Sequence, residues 1–236
     1  MPTILARVAG LVLTVALCWL SSRSQNNGVL NLVLIWGAPL LAFPIAWFGR
    51  HLLDAGPPAK ERAERLNVGV HYAMMIALGS AIFPAVVRVR QVPGLIIPLP
   101  QPIGYALFLI TSFVTFLTVV NLAIRGLGAP FVIKLSSRLA SDWMYAWTRN
   151  PMLVSALAWF LAMGLRYRSL WFVIWVVAIL SPGWIWFIPE YEERELEIRF
   201  GPGYLEYKAR TPRFWPRHPR VPGYSHEPLR VVPGRS

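Results

Sequence analysis

Cysteine, acidic side chains and charge of any sign are scarce in this chain of 236 residues. Cys18 is the only cysteine, which excludes an intrachain disulfide and disfavours a metal site built from thiolates. Only 14% of the residues are charged, against roughly 25% in ordinary soluble proteins. No Gly-x-Gly turn joins a predicted strand to a predicted helix, so a soluble dinucleotide-binding domain is not expected. These shortages disfavour both disulfide-rich secreted proteins and ordinary soluble enzymes.

The chain is rich instead in long apolar runs, since 56% of its residues are hydrophobic. The hydrocarbon core of a bilayer is about 30 Å thick, so a helix needs about 17–25 apolar residues to cross it. Six runs reach or approach this length, and the fifth is short. We therefore predict an all-α integral membrane protein, a bundle of about six transmembrane helices. The six predicted spans are Ile4–Leu20, Val29–Phe48, Val68–Val87, Ile103–Ile124, Pro151–Leu165 and Leu170–Ile188.

Basic residues outnumber acidic ones, with 23 Lys and Arg against 11 Asp and Glu. Taken alternately, the segments outside the predicted spans carry 18 and five of these basic residues, and both termini lie on the richer side. This is the positive-inside pattern, and it predicts that the N- and C-termini are cytoplasmic. Topology and contacts with anionic headgroups account for the basic excess, so we expect the bilayer, and no nucleic acid, as a partner.

The last two predicted spans form a helical hairpin. Only Arg166-Tyr167-Arg168-Ser169 separates them, so the two helices must run antiparallel. Their other ends, at Arg149-Asn150-Pro151 and from Pro189 onward, then meet on the cytoplasmic side. The connection from Arg125 to Thr148 is long and lies on that side too, and we expect it to cap the bundle.

The residues after the last span predict an interfacial helix over 190–200, which Gly201-Pro202-Gly203 ends. Its glutamates fall into two groups. Glu190 and Arg194, like Glu195 and Arg199, are four residues apart, as in exposed ion pairs worth about 0.3–0.5 kcal/mol. Glu192 and Glu193 instead share a face with Leu196 and Phe200. Two carboxylates turned toward the bundle need a cationic partner or a ligand.

Taken together, the Arg149-Asn150-Pro151 motif before the hairpin and the Glu192-Glu193 motif after it resemble the isoprenylcysteine carboxyl methyltransferase and phospholipid methyltransferase superfamily. Two positions depart from it: Trp143-Met144-Tyr145-Ala146-Trp147 replaces the family's Gly-Pro-Tyr-x-Tyr, and Leu153 replaces a tyrosine. These departures bear on the substrate more than on the cofactor. The matching residues are Arg149-Asn150-Pro151-Met152, then Glu192-Glu193-x-x-Leu196-x-x-x-Phe200-Gly201-x-x-Tyr204-x-x-Tyr207, then Pro212-Arg213 and Pro216.

The resemblance implies a membrane-embedded enzyme that uses S-adenosyl-L-methionine. Glu192 or Glu193 is expected to hold the ammonium group of its methionine part, while Arg149 and Asn150 hold the carboxylate. The remaining cofactor-binding residues implied are Pro151 and the aromatic pair Tyr145 and Trp147, which would meet the sulfonium or the adenine. The substrate-binding residues implied are Leu153, Tyr204, Tyr207 and Arg213. No metal ligand and no catalytic side chain is predicted.

The resemblance leaves the methyl acceptor open among an isoprenylcysteine carboxylate, a phospholipid amine and a lipophilic thiol. A non-enzymatic membrane scaffold, or a transporter-like protein that kept the fold, is the alternative function. Binding of the cofactor separates these two classes. We divide the chain into a four-span bundle over 1–124, a cofactor-binding loop with hairpin and interfacial helix over 125–216, and a basic, disordered tail over 217–236.

Overall fold

The computed structural model describes residues 4–23, 28–89, 95–125 and 137–218. Within these ranges the chain is almost entirely helical, and each of its six long helices overlaps one predicted span. The last of them continues beyond its predicted span through the predicted interfacial helix to Phe200. Two short helices, α5 and α8, lie before and after the predicted hairpin. In chain order the helices are α1 Ile4–Arg23, α2 Gly28–Asp54, α3 Lys60–Arg88, α4 Gln101–Arg125, α5 Met144–Trp147, α6 Pro151–Arg166, α7 Leu170–Phe200 and α8 Pro202–Arg210.

Four of the described helices, α2, α3, α4 and α7, are long and apolar enough to cross a membrane. The apolar part of α1 covers only Arg7–Leu20, and α6 is a shorter apolar helix of 16 residues, as its sequence predicts. The prediction of an all-helical, multi-pass membrane protein is therefore confirmed. A total of six spans stays a prediction.

Prolines alter the helical geometry of α2 without ending the helix. The backbone of α2 widens into a π-helical turn over Val33–Gly37 and then tightens over Ala38–Leu41, where Pro39 lies. Such irregular turns leave backbone carbonyls without their usual helical donors. One of these carbonyls, that of Ile35, accepts a hydrogen bond from the buried indole nitrogen of Trp175 at 2.8 Å.

The same adjustment occurs twice in α7, at Val176–Leu180 and at Ile188–Glu192. The sequence predicts an interruption at Ser181-Pro182-Gly183, but the helix runs through it. Pro182 has no backbone N–H to donate, and a π-helical turn directly before it lets the helix continue. There the Ser181 hydroxyl donates to the Val176 carbonyl at 2.7 Å. The second wide turn immediately precedes the glutamate-rich end of α7.

Small residues let α7 approach α2 closely. A Cβ atom placed on Gly183 would lie 2.7 Å from the Ala42 Cβ. Nearer the end of α7, a Cβ atom on Gly49 of α2 would lie 2.8 Å from the ring of Tyr191. Tyr191 is fully buried there and packs against Phe187 and His71 of α3. The helices α2, α3 and α7 thus share one apolar core.

Two connections meet at the far end of the bundle from the glutamates. The backbone N–H of Leu170 donates to the Leu95 carbonyl, and that of Ile97 donates to the Arg168 carbonyl, both at 2.9 Å. The connection after α3 is therefore fastened to the short loop between α6 and α7. This agrees with the charge pattern, which predicts these two loops on one side of the membrane.

Helix α4 packs against α6 and is otherwise the most exposed of the four long apolar helices, with only 11% of its apolar window buried. Its outward face carries large apolar side chains such as Leu109, Phe113 and Phe116. The predicted capping loop lies partly outside the described residues, which resume at 137. The predicted tail is described only for residues 217 and 218, and the domain division stays a prediction.

Candidate functional site

The two ends of the hairpin that lie opposite its short loop do meet, as that loop predicts. The Arg149 guanidinium, just before α6, donates from Nη2 to the Glu193 Oε1 atom at 2.7 Å. Both side chains are almost completely buried, with 8% of Arg149 and 3% of Glu193 exposed. This contact joins residues 44 positions apart in the chain.

Glu193 is held by three basic residues rather than one. Arg213 donates to its two oxygens from Nε at 2.8 Å and from Nη2 at 3.1 Å. The Lys208 ammonium lies 3.0 Å from Oε2. We call Glu193, Arg149, Lys208 and Arg213 the Glu193 clamp. Removing one partner from a buried, hydrogen-bonded ion pair typically costs about 3–5 kcal/mol, so the clamp fastens the hairpin to the segment after α7.

Arg149 also binds the backbone that follows α8. Its Nη1 atom donates to the carbonyls of Lys208 at 2.6 Å and Thr211 at 2.9 Å, and its own backbone N–H donates to the Pro212 carbonyl at 2.9 Å. Its Nε atom is buried without a hydrogen-bond partner among the described residues. One N–H donor of the central arginine is thus left over inside the site.

The residues flanking Arg149 reach the same backbone segment. The Asn150 side-chain amide and the Thr148 hydroxyl both donate to the Arg213 carbonyl, at 3.0 and 2.9 Å. Pro151 then takes the first position of α6, where its missing N–H costs nothing. Thr148 and Asn150 therefore position Arg213, which is one of the cations on Glu193.

The aromatic segment before Arg149 begins with a strained residue. Trp143 has φ 51° and ψ −121°, the conformation of the first central residue of a type II′ turn, which glycine normally occupies. The family pattern has glycine at this position, so the departure noted in the sequence has a backbone cost. The strain persists because surrounding contacts hold the segment. Among them, the buried Asn121 side chain of α4 accepts a hydrogen bond from the Met144 N–H at 3.0 Å.

Three tyrosines line the inner side of the site. The Tyr207 hydroxyl donates to the Tyr145 carbonyl at 2.7 Å, and the rings of Tyr204 and Tyr207 pack edge to face. Burial, followed by the negative charge of Glu192, raises the pKa of Tyr145 well above its usual range. Burial and the charge of Glu193 raise the pKa of Tyr204, and burial raises that of Tyr207. These phenols are therefore neutral at physiological pH.

Glu192, the neighbour of Glu193, has no hydrogen-bond or ion-pair partner among the described residues. Its side chain is partly buried at the wide turn of α7, and its charge acts on Tyr145 and Tyr204. A carboxylate removed from water in this way needs a cation. The site therefore contains one carboxylate that is bound by three basic residues and one that is free.

A second ion cluster lies farther along the same helix. Glu195 is buried, with 1% of the residue exposed, and its carboxylate accepts a hydrogen bond from Arg199 Nη1 at 3.0 Å. Arg199 Nε lies 3.9 Å from the carboxylate of Glu64 on α3. We call these three residues the Glu195 cluster. The sequence predicted the Glu195–Arg199 pair but placed it in solvent, which is wrong because α3 covers this face.

The other predicted ion pair, Glu190 with Arg194, does not form. Arg194 donates to Asp54 at the end of α2 at 2.9 Å and contacts Glu197 at 3.4 Å. The π-helical turn over Ile188–Glu192 inserts residues into the helical repeat, so side chains before and after it no longer face each other at the regular spacing. Regular helical spacing consequently misassigns the partners of Glu190 and Arg194.

The remaining predicted site residues are dispersed. Leu153 is buried in the apolar core, whereas Trp147 is 45% exposed and packs edge to face with His218. Lys208 is a site residue that the sequence reasoning missed, although it directly follows Tyr207 in the matching pattern. Asn121 was missed as well; its sequence signal is an amide side chain near the end of an apolar span.

The formal charges of the site are unevenly distributed across the end of α7. The Glu193 clamp contains three cations and one anion. On the other side, Glu192 and the Glu195 cluster contain three carboxylates and only the Arg199 cation. A ligand that carries a carboxylate at one end and positive charge at the other matches this distribution.

Comparison with known proteins finds a family match for part of the chain. Residues 100–202 match the family model described as phospholipid methyltransferase, which confirms the resemblance seen in the sequence. The matched region runs from α4 to the start of α8 and contains Arg149, Glu192 and Glu193. No curated protein and no solved structure matches the chain.

Proposed function

We propose, from the match of residues 100–202 to the phospholipid methyltransferase family, that this membrane protein is a methyltransferase that uses S-adenosyl-L-methionine and methylates a lipophilic acceptor. The observation that carries the proposal is the pairing of the Glu193 clamp with the unpartnered carboxylate of Glu192. Glu192, Glu193 and Arg149 lie in the matched region, whereas Lys208 and Arg213 follow it. All five residues lie where the two ends of the hairpin meet.

The charge distribution fits the methionine part of this cofactor. Glu192 offers a free carboxylate to the ammonium group. The clamp has an excess of positive charge and an unused Arg149 Nε–H donor, which suit the carboxylate group. The aromatic side chains of Tyr145 and Trp147 are available to the sulfonium or the adenine.

The bound cofactor supplies an electrophilic methyl group on a sulfonium. The chain's own residues bind and orient it, and the buried tyrosines and α3 exclude water from its charged end. The neutral phenols of Tyr145, Tyr204 and Tyr207 hold no negative charge that would accept the methyl group in place of the substrate. No side chain is assigned a proton-transfer role.

The acceptor is proposed to arrive from the bilayer, because the site lies at the end of apolar helices. The family's description favours a phospholipid, and its amine is the first acceptor to test. An isoprenylcysteine carboxylate and a lipophilic thiol are the other acceptors in this class.

Calorimetry on the purified protein in detergent tests cofactor binding, with S-adenosylhomocysteine as a non-reactive probe. Proteoliposomes supplied with methyl-labelled S-adenosylmethionine then test transfer to a phospholipid amine, an isoprenylcysteine or a lipophilic thiol. Label is expected in the organic extract with one of these acceptors. A folded protein that binds neither form of the cofactor at millimolar concentration contradicts the proposal and favours the scaffold alternative.

The cytoplasmic orientation of the site and of both termini is part of the same proposal. Single cysteines at Ala59, in the exposed connection after α2, and at Ile96, in the connection after α3, report the two sides in a Cys18→Ala background. An impermeant thiol reagent applied to right-side-out vesicles is expected to label Ile96→Cys only. Labelling of both cysteines from one side contradicts this topology.

A further inference from the structure

The Glu195 cluster is a buried group of charges for which the proposed function gives no role. Only 4% of the Arg199 side chain is exposed, together with 2% of the Glu195 side chain and 15% of the Glu64 side chain. Glu64 comes from α3, which lies outside the region matched by the family. The cluster therefore brings a charge from the first half of the chain toward the site.

The cluster lies close to the free carboxylate of Glu192. Glu192 and Glu195 are three residues apart in one helix, a spacing that makes side chains neighbours, and their negative charges repel. Between them in sequence, Arg194 is engaged by Asp54 and Glu197 and does not neutralise either. Among the described residues, Arg199 is the one cation that pairs with Glu195 and Glu64, and Glu192 has no cation partner. Within this part of the chain, the four side chains therefore carry two formal negative charges in excess.

Within the described part of the chain, a second polar group without a partner, the hydroxyl of Tyr191, lies close to these carboxylates in the sequence. The Tyr191 side chain, one residue from Glu192 and four from Glu195, is fully buried. Its hydroxyl has no hydrogen-bond partner among the described residues. Burial keeps the excess charge from being screened by salt, so it acts on whatever group occupies the space beside Glu192.

We propose that Glu64 and Glu195, which Arg199 holds in place, are specificity residues that make the site bind the positively charged sulfonium cofactor more tightly than its neutral thioether product. This inference rests on the proposed function. S-adenosylmethionine carries one more positive charge than S-adenosylhomocysteine, because methyl transfer leaves the electron pair of the broken carbon–sulfur bond on sulfur. The two molecules share the methionine carboxylate and ammonium, so a negative excess distinguishes them only through the sulfonium.

The consequence is a site that releases its product more readily than a neutral site of the same shape. Damage to the fold weakens binding of both molecules together. Loss of the negative excess weakens binding of the cation alone. The ratio of the two dissociation constants therefore separates an electrostatic role from a merely structural one.

Calorimetric titration of both molecules into the detergent-solubilised protein measures this ratio. Glu64→Gln is the main variant, because Glu64 is the least buried member and Arg199 keeps its partner Glu195. We expect the preference for S-adenosylmethionine to fall about threefold to tenfold, with a nearly unchanged dissociation constant for S-adenosylhomocysteine. Glu64→Asp keeps the charge and is expected to keep most of the preference.

Two further variants complete the comparison. Glu61→Gln removes an exposed carboxylate one turn earlier on α3 and is the matched control, with an unchanged ratio expected. Asn67→Asp adds a negative charge one turn after Glu64, at a buried side chain whose oxygen has no hydrogen-bond partner among the described residues, and is expected to raise the preference. It also tests the inference if Glu64→Gln does not purify as a folded protein.

The inference and the proposed function fail in different ways. A folded wild-type protein that binds neither molecule contradicts the proposed function. Wild-type binding of both molecules, with a ratio that is the same in Glu64→Gln and Asn67→Asp, overturns the inference alone. An equal loss of both affinities in Glu64→Gln also overturns it, because it shows a structural role.

Discussion

Glu192 and Glu193 are adjacent in the sequence, yet they occupy opposite electrostatic surroundings. Glu193 accepts hydrogen bonds from Arg149 and Arg213 and lies 3.0 Å from the Lys208 ammonium. Glu192 has none of these partners within the described part of the chain. One carboxylate is therefore used by the fold, and the other is the one that we propose binds the cofactor.

The difference shows that an acidic pair in a sequence pattern does not have one shared role. The charge of Glu193 stabilises the folded chain, since it joins the hairpin to the segment after α8. The charge of Glu192 contributes unfavourably to folding, because a partly buried carboxylate without a cation is costly. Substitutions at these positions should therefore separate loss of folding from loss of binding.

The largest effect is expected for Glu193→Gln. It leaves three basic groups without their common anion, and breaking a buried ion pair costs about 3–5 kcal/mol. The midpoint of thermal unfolding in detergent should fall by many degrees, or the protein should fail to purify as a monodisperse species. A stable Glu193→Gln protein that loses only cofactor affinity would show that the two glutamates share one role.

Glu192→Gln is expected to spare the fold and to damage binding. Losing the countercharge of a partly desolvated ammonium typically costs about 2–5 kcal/mol, or roughly thirtyfold or more in affinity. Titration with S-adenosylhomocysteine measures the loss, and the unfolding midpoint should be equal to or higher than that of the wild type. A lowered midpoint with normal affinity would reverse the assignment of the two carboxylates.

Lys208→Met sharpens the comparison within the clamp. Burial lowers the pKa of Lys208, but hydrogen bonds to Glu197 and Glu193 outweigh it and raise the pKa above its usual value. Its partly exposed ammonium should contribute about 1 kcal/mol or less to stability.

The pH dependence of the same variant follows from the sign of this shift. Because the pKa is higher in the folded state, the contribution is complete below the unfolded lysine pKa of about 10.4 and is lost as pH rises through the folded value. The difference in unfolding midpoint between wild type and Lys208→Met should therefore be constant from pH 7 to pH 9. A difference that disappears below pH 9 would contradict the ion pairing.

The smallest effect is expected for Glu190→Gln. Only the Glu190 backbone carbonyl is contacted, by Arg50 Nη1 at 3.3 Å, and the predicted Arg194 partner is bound elsewhere. Stability should change by less than about 0.5 kcal/mol, and cofactor affinity should be intact. This variant is the matched control for Glu192→Gln, since both remove one carboxylate from the same turn of α7.

The sequence predicted the parts of the fold that depend on length and composition. Long apolar runs gave the helices, and the loop around Tyr167 was too short for anything but an antiparallel hairpin. That hairpin alone predicted that Arg149 and the glutamates meet. Gly201 was predicted to end the helix, and α7 does end at Phe200, with Gly201 at φ 55°.

The parts that were missed depend on irregular backbone and on contacts between distant segments. Regular spacing predicted an exposed Glu195, but the wide turns of α7 and the position of α3 were not readable from the pattern. The same holds for Lys208, whose role appears only when α8 folds back onto α7. The pairing of Arg149 with Glu193 was missed for the same reason. The expected role of Arg149 in binding a ligand carboxylate stays a prediction.

The close contact between α2 and α7 has a consequence for how freely this sequence can vary. At Gly183 and Gly49 an added methyl group would collide with Ala42 and with the Tyr191 ring, at 2.7 and 2.8 Å. Outward positions on α4, such as Phe113, meet no such neighbour and are 62% exposed. In a saturation library selected for activity, we therefore expect the two glycines to tolerate almost no exchange while Phe113 accepts most apolar residues. Gly49, which lies more than a hundred residues before the glutamates, would then be among the least variable positions in the protein.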